Sequence, residues 1–451
     1  MRIIVVGCGK VGATITEQLI QENHDVTVID KDSNVVTDIT NNFDVMGLVG
    51  NGASYEIQKD AGIEKTDLLI AATDSDELNL LCCLIARKAG NCNTIARVRN
   101  PLYSKEVSFI KEELGLSMTI NPEYAAATEI ARLLRFPSAI EIETFAKGRA
   151  ELLKFPIAEG SVLHNRSLVE VSQKIKEEVL ICVVERGDEV IIPNGSFVLQ
   201  ENDVVSIIAS PKKAKQFFDK IGVDTHQAKD ATIVGGGTIA HYLAEQLLNT
   251  GVAVKIVEKD LKRCEELSEL LPGAIIIHGD ATNQDVLLEE GTNRADAVVT
   301  LTGLDEANIF LSLFVRNSSK AKVITKVDRI NFSELMGTFP LGSVINPKKI
   351  TANYIIRYVR AMQNSIGSNV ETLYRIVNNK AEALEFTIKG DAPVLGIPLK
   401  DLTLKKNLLI ACVNRKGKII IPNGMFTLEQ GDTVVVVTTQ QGLGDIRDIL
   451  K

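Results

Sequence analysis

The chain carries the same text twice. It opens MRIIVVGCGKVGATITEQLIQENHDVTVID, and about two hundred residues later reads DATIVGGGTIAHYLAEQLLNTGVAVKIVEKD. Gly7, Gly9, Gly12 and Asp30 fall on Gly235, Gly237, Ala240 and Glu258 at an offset of 228. Thr73-Asp74-Ser75-Asp76-Glu77-Leu78-Asn79 falls on Thr302-Gly303-Leu304-Asp305-Glu306-Ala307-Asn308 at 229, and Arg97 on Lys326. Asn121-Pro122 then falls on Asn346-Pro347, and Ile191-Ile192-Pro193-Asn194-Gly195 on Ile420-Ile421-Pro422-Asn423-Gly424. An ordered series over two hundred residues is duplication, and the period is too long for a solenoid. Any fold for this chain must therefore be built from two similar halves.

Each half divides again. In residues 1–137, six apolar runs (IIVVG, VTVID, VMGLVG, LLIAAT, TIARV, MTI) read as strands. Between them KVGATITEQLIQEN, SDELNLLCCLIARKAG and KEVSFIKEEL carry helical spacing, and residues 123–135 read as one more helix. Alternating strands and helices predict a doubly wound parallel sheet, an α/β Rossmann domain. After Phe136-Pro137 the pattern changes. One helical pattern is followed by LICVVERGDEVIIPNG and NDVVSIIAS, short β-rich runs with tight turns, which predict a small α+β domain. The second half repeats it, and PKKAKQFFDK with the stretch to Asp230 reads as the link between halves. The expected domains are 1–137 and 229–363, both Rossmann, and 138–225 and 364–451, both small.

The chain's 451 residues suit several domains, and a hydrophobic content of 45% allows large cores. No apolar run reaches the length of a membrane span, and the N-terminus has no secretory h-region. The seven cysteines show no C-x-x-C pairing and read as buried small hydrophobes. A net charge of −8 without a basic stripe argues against nucleic acid and against direct adhesion to anionic lipid.

Gly7-Cys8-Gly9-Lys10-Val11-Gly12 follows a strand and opens a helix, the context a dinucleotide fingerprint requires. The first glycine allows the turn, the second lets a pyrophosphate approach the backbone, and the third lets helix and strand pack closely. Helix N-terminal amides then face the anion. Asp30, at the end of the second strand, is placed to accept both ribose hydroxyls. Gly235-Gly236-Gly237-Thr238-Ile239-Ala240 with Glu258 repeats the arrangement. Either acid would repel a 2′-phosphate, favouring NAD over NADP, although Lys31 and Lys259 follow directly. Thr73 and Asp74, and Thr302, lie just past the fourth strands, where such sheets bind ligands. Arg97 and Lys326 end the fifth strands and can reach phosphates. Asn51-Gly52-Ala53 and Gly279-Asp280-Ala281 follow the third strands, beside the expected adenine pocket, with Asp280 a candidate acceptor for the adenine amino group. Ser75 is a candidate N-cap. Tyr55 and Lys59 have a dehydrogenase-like spacing but come too early in the chain, the five histidines show no metal spacing, and no P-loop is present. The reading is two nucleotide sites with no recognisable catalytic group.

Taken together, the tandem large and small units, the glycine fingerprint with its acid, T-D-S-D-E-x-N after the fourth strand and A-R-V-R after the fifth resemble the domains that regulate potassium conductance. They are most similar to the tandem regulators of bacterial Trk-type potassium uptake. Gly50-Asn51-Gly52-Ala53 and Phe136-Pro137-Ser138-Ala139 add to the resemblance, while Ala240 and Gly303-Leu304 depart from it. The resemblance implies a non-enzymatic cytoplasmic subunit, peripheral on the inner face of the membrane. It would form a homo-oligomer, a tetrameric ring, against a potassium-translocating membrane subunit, and bind NAD(H) and, as related proteins do, ATP or ADP. It implies a first site at Gly7 through Val11, Asp30, Thr73, Asp74 and Arg97, and a second at Gly235 through Ile239, Glu258, Asp280 and Thr302. Two alternatives stay open: an NAD-dependent oxidoreductase, and the same module serving another channel or exchanger.

Overall fold

The computed structural model describes residues 1–451 apart from 137–138, 224–227, 330–338, 340, 365–369, 377–379, 391 and 441. The expected domain boundaries at 137/138 and 225 lie outside the described residues.

Each half contains a six-stranded parallel sheet. In the first the order is Met46–Val49, Asp25–Asp30, Arg2–Val6, Leu68–Ala71, Asn93–Arg97, Met118–Ile120. In the second it is Ile275–His278, Ala253–Glu258, Asp230–Val234, Ala297–Thr300, Lys322–Lys326, Ser343–Ile345. The central strand Arg2–Val6 pairs in parallel with Asp25–Asp30 on one side and Leu68–Ala71 on the other, so strand order reverses there. Such a switch point leaves a crevice at the strands' C-terminal edge. Strands such as Leu68–Ala71 are buried throughout and read as unbroken apolar runs, as a sheet covered on both faces requires.

Each small unit is a five-stranded antiparallel sheet. The first runs Glu189–Ile191, Leu180–Arg186, Val204–Ala209, Ala150–Pro156, Glu141–Phe145. The second runs Val370–Ile376, Ala381–Thr387, Thr433–Thr438, Leu408–Arg415, Lys418–Ile420. The two sheets share a core that includes Leu152, Cys182 and Val183 from one and Ala383, Cys412 and Val435 from the other. Burial pushes the thiols of Cys182 and Cys8 up to about 12, and all seven cysteines are buried and free.

Several elements differ from expectation. Ser33–Asn42 and Tyr55–Asp60 are helices, capped by Asp32 and Ser54. Glu141–Phe145 and Ala150–Pro156 are strands, preceding the β-rich runs expected for the small domain. Pro211–Lys220, read as a link, is a helix whose Phe217 and Phe218 are buried against Phe155. Of its lysines, Lys213 and Lys220 both pair with Glu177, which ties this helix to the end of Leu168–Ile175.

The halves are joined by exchanging helices. Pro122–Arg135, the last helix of the first Rossmann sequence, packs on Thr238–Asn249 of the second half, burying Ala126, Ala127 and Ile130 in a cluster with Leu243, Ala244 and Leu247. Pro347–Asn364 returns the exchange, placing Ala352, Ile355, Ile356 and Val359 against Ile15 and Leu19 of Lys10–Gln21. The polar trim repeats too. Gln246 donates to Thr128 (3.2 Å) as Gln18 donates to Asn353 (3.4 Å). The result is a pseudo-twofold dimer within one chain.

Arg360, on the returning helix, pairs with Glu22 at 2.6 Å, and both side chains are largely buried. His24 lies beside this pair, and neither ring nitrogen has a hydrogen-bond partner among the described residues. Burial first, then the N-terminal amine and Arg360, lower its pKa to about 4, while Glu22 and Asp67 oppose the shift. The folded chain thus holds fewer protons than the unfolded chain between about pH 4 and 6.5, so this contribution is complete above 6.5 and is lost as pH falls toward 4. We expect His24→Phe to be about 2 kcal/mol less sensitive than the parent to a change from pH 7.5 to pH 5. Urea unfolding at both pH values tests this. Equal sensitivity in parent and variant would refute it.

Candidate functional site

The first glycine turn is shaped by close approach. Gly7 has φ +86°, and a Cβ there would lie 2.7 Å from the Thr73 amide nitrogen. At Gly12 a Cβ would lie 1.9 Å from the Gly7 carbonyl oxygen. A Cβ on Gly9 would meet nothing within 4 Å, so that residue faces open space. No side chain caps the helix that begins at Lys10, leaving its first amides for an anion. The second turn matches: Gly235 has φ +99°, pressed against Leu301, and Gly237 faces open space.

The two acids brace these turns. Asp30 Oδ2 accepts from the Cys8 amide at 2.7 Å, and Oδ1 accepts from the Asp32 amide at 3.0 Å. Glu258 does the same toward Gly236 (2.6 Å) and Asp260 (2.8 Å). Each oxygen keeps a lone pair for a sugar hydroxyl.

The T-D-S-D-E-x-N motif is a clamp. Asn79 accepts from the Thr73 amide and hydroxyl (2.8 and 2.7 Å) and donates to the Arg97 carbonyl (2.9 Å). It thereby ties the fourth strand's exit to the end of the fifth. Asn308 does this for Thr302 and Lys326. Ser75 caps its helix, and Asp76 accepts from the amides of Arg99 and Asn100 at 2.8 Å.

A cavity of about 770 Å³ opens above the first sheet's switch point. Of the residues expected at the first site, Gly7, Gly9, Lys10, Val11, Asp30, Asn51, Gly52, Thr73, Asp74 and Arg97 line it. Cys8 and Gly12 do not; Cys8 is buried beneath the turn, and Gly12 sits in the helix–strand contact. Ile239 and Lys326, expected at the second opening, line this same cavity together with Asp328, Pro347 and Lys348. Helix exchange is the physical reason, because it brings the second half's strand ends across the first half's crevice. Gly235, Gly236, Gly237, Thr238, Glu258, Asp280 and Thr302 stay at the second sheet's own edge. There Asp280 accepts from the amide and hydroxyl of Thr282, which holds its carboxyl below the usual range.

Cations converge on the cavity from both halves. The Arg97 guanidinium reaches the Thr73 carbonyl and Glu123 Oε1, each at 3.4 Å. Its Nε and Glu123 Oε2 are buried without hydrogen-bond partners among the described residues, and burial lowers the Arg97 pKa. Lys326 Nζ donates to the Thr302 carbonyl and pairs with Asp328, both at 3.1 Å. Lys348 donates to the Asp328 carbonyl at 2.6 Å, and its pKa is lowered by burial and by the fields of Lys10 and Lys326. A desolvated cation cluster over a glycine turn is chemically suited to a polyphosphate, with Asp30 placed for the sugar and Val35 and Ile29 as apolar walls. Sequence reasoning missed Glu123, Asp328 and Lys348. The repeated Asn-Pro pair, used only to set the register, was the available signal, since it starts both exchanged helices at the cavity.

The TrkA-N domain model matches residues 3–122 and 231–347, and the TrkA-C domain model matches 152–222 and 383–451. A Trk system potassium uptake protein TrkA homolog of Archaeoglobus fulgidus is 32% identical over 451 residues, covering 100% of both chains. The Trk system potassium uptake protein TrkA of Haemophilus influenzae is 28% identical over 443 residues, 97% of this chain and 95% of that one. Among solved structures, the GsuK channel bound to NAD superposes with a TM-score of 0.62 at 16% identity, over 98% of this chain and 77% of that one. The GsuK RCK domain superposes at 0.63 and 16% identity, over 98% and 92%. At that identity the likeness is one of fold.

Proposed function

The chain belongs to the TrkA family, and from that premise we propose that it is the nucleotide-binding regulatory subunit of a Trk-type potassium uptake system. The observation that carries this is the single cleft built from both halves. Gly9 and Asp30 come from the first, and Lys326 and Lys348 reach in from the second. The ligand is NAD(H), with ATP and ADP competing for the same phosphate cluster. Asp30 holds the adenosine ribose, and the helix amides after Gly9 hold the phosphates. Arg97, Lys326 and Lys348 sense how many phosphates are present and where their charge lies.

Because these cations sit on different halves, phosphate number sets how tightly the halves close on each other. A ligand shifts a conformational equilibrium only by its differential affinity for the two states. A tenfold preference per site is about 1.4 kcal/mol, or about 5.5 kcal/mol for four sites moving together. That suffices to move a pore from mostly closed to mostly open. Duplicated, pseudo-symmetric chains suit a closed ring, and we propose a homotetramer on the cytoplasmic face of the potassium-translocating subunit. In this proposal the ions pass through that partner; among the described residues of this chain no helix is long and apolar enough to cross a membrane. The role is regulatory and not catalytic.

Potassium flux into liposomes holding the membrane subunit and this protein tests the proposal. The expected result is flux that differs several-fold among NADH, ATP, ADP and no nucleotide. Identical flux under all four conditions would overturn it, and turnover of the nicotinamide ring would point to the oxidoreductase alternative.

A further inference from the structure

We infer that Arg263 makes the second opening a guarded, weaker adenine-nucleotide site, so that the two openings of one chain fill in sequence and not together. The inference rests on the reading of the cleft as a nucleotide site. In register, Arg263 corresponds to Val35, Gly236 to Cys8, and Glu258 to Asp30. Val35 lines the first cavity next to Asp30 as an apolar wall, the surface an adenine ring lies against. In the second half the same helical position carries a guanidinium. Its Nε donates to the Gly236 carbonyl at 2.8 Å, and its Nη1 pairs with Glu266 at 2.9 Å. The side chain is mostly buried, with 28% exposed.

Arg263 is therefore a strut, fixed at both ends, from the helix Leu261–Leu270 to the glycine turn. It stands beside the carboxylate that would hold the ribose, since Glu258 Oε2 accepts from the same residue's amide. The strut takes the space that Val35 leaves to a base in the first half. Seating a base here requires the guanidinium to let go of the Gly236 carbonyl, which lowers affinity by the strength of a charged hydrogen bond. Arg263 thus acts as a specificity-determining residue. The first opening is filled at low nucleotide and the second only at higher concentration.

The test uses the full chain in calorimetry with NADH and, separately, ADP. The parent should show two classes of site. Gly9→Val blocks the first opening and isolates the second. Adding Arg263→Val, the residue of the first half, should then raise affinity about tenfold or more. A gain is diagnostic, because a side chain that merely supported the fold would lose affinity when removed. Unchanged or weaker binding in the double variant overturns the inference while leaving the first opening intact. Failure of the parent to bind either nucleotide at any site would overturn the nucleotide reading itself and this inference with it.

Discussion

Gly9→Val is expected to lower nucleotide affinity at the first opening more than about a hundredfold, while the melting temperature stays within about 2 °C of the parent. Both halves of that expectation come from one geometry. Gly9 has φ −61° and ψ −171°, which any residue adopts, and an added Cβ meets nothing within 4 Å. The fold meets no clash and loses only the small N-cap preference of glycine over valine. The isopropyl group instead projects from the turn into the 770 Å³ cavity, where a pyrophosphate would contact the amides behind it. Losing two charge-assisted hydrogen bonds, at about 1.5–3 kcal/mol each, sets the size of the effect. The neighbouring glycines would not serve, because a side chain at Gly7 or Gly12 collides with backbone and unfolds the turn. Calorimetry and a thermal melt on the same sample decide the matter. Unaltered affinity would mean that the phosphates do not lie on this turn.

Ile355→Ala is expected to destabilise the first half, although residue 355 belongs in sequence to the second. Ile355 is fully buried in a cluster with Ile3, Val5, Ile15 and Leu19. Truncating such a side chain costs about 2–5 kcal/mol through lost transfer energy and the cavity left behind. Amide hydrogen exchange should show faster exchange in Arg2–Val6 and Lys10–Gln21. Faster exchange confined to residues 229–363 would contradict the exchanged arrangement.

What the sequence disclosed is local in origin. The turn at Gly7, the brace at Asp30 and the cap at Ser75 depend on residues close in the chain, and their chemistry is explicit in the residue type. The strands around them are apolar runs, legible because a sheet covered on both faces admits little else. The exchange was not legible. The apolar stripe of Pro122–Arg135 shows that the helix has a partner, but nothing in its period says that the partner is Thr238–Asn249. For the same reason Lys326 read as part of a separate second site when its ammonium lines the first cavity. Glu141–Phe145 and Ala150–Pro156 escaped notice because Glu141, Glu143, Glu151 and Lys154 interrupt their apolar pattern. The structure accounts for three of those charges: Glu151 pairs with Arg135, Lys154 with Glu185, and Arg357 with Glu143. Lys322, likewise, is half-buried at the start of a strand and donates to the Ala139 carbonyl, a pairing across the halves that its neighbours in sequence do not announce.

The returning helix also dictates a schedule for synthesis. Lys10–Gln21 leaves the ribosome early, yet the residues that cover its face, Ala352 to Val359, emerge roughly 340 residues later. At about 5–20 residues per second the nascent chain carries that apolar stripe bare for roughly 15–70 s. Over the same interval it already contains a whole first sheet whose cover has not been made. A chain cut short before Ile355 would keep the stripe open indefinitely, exposed to the same helix on a neighbouring nascent chain. Joining two halves by exchange thus makes completion of the polypeptide itself the step that protects the product from aggregation.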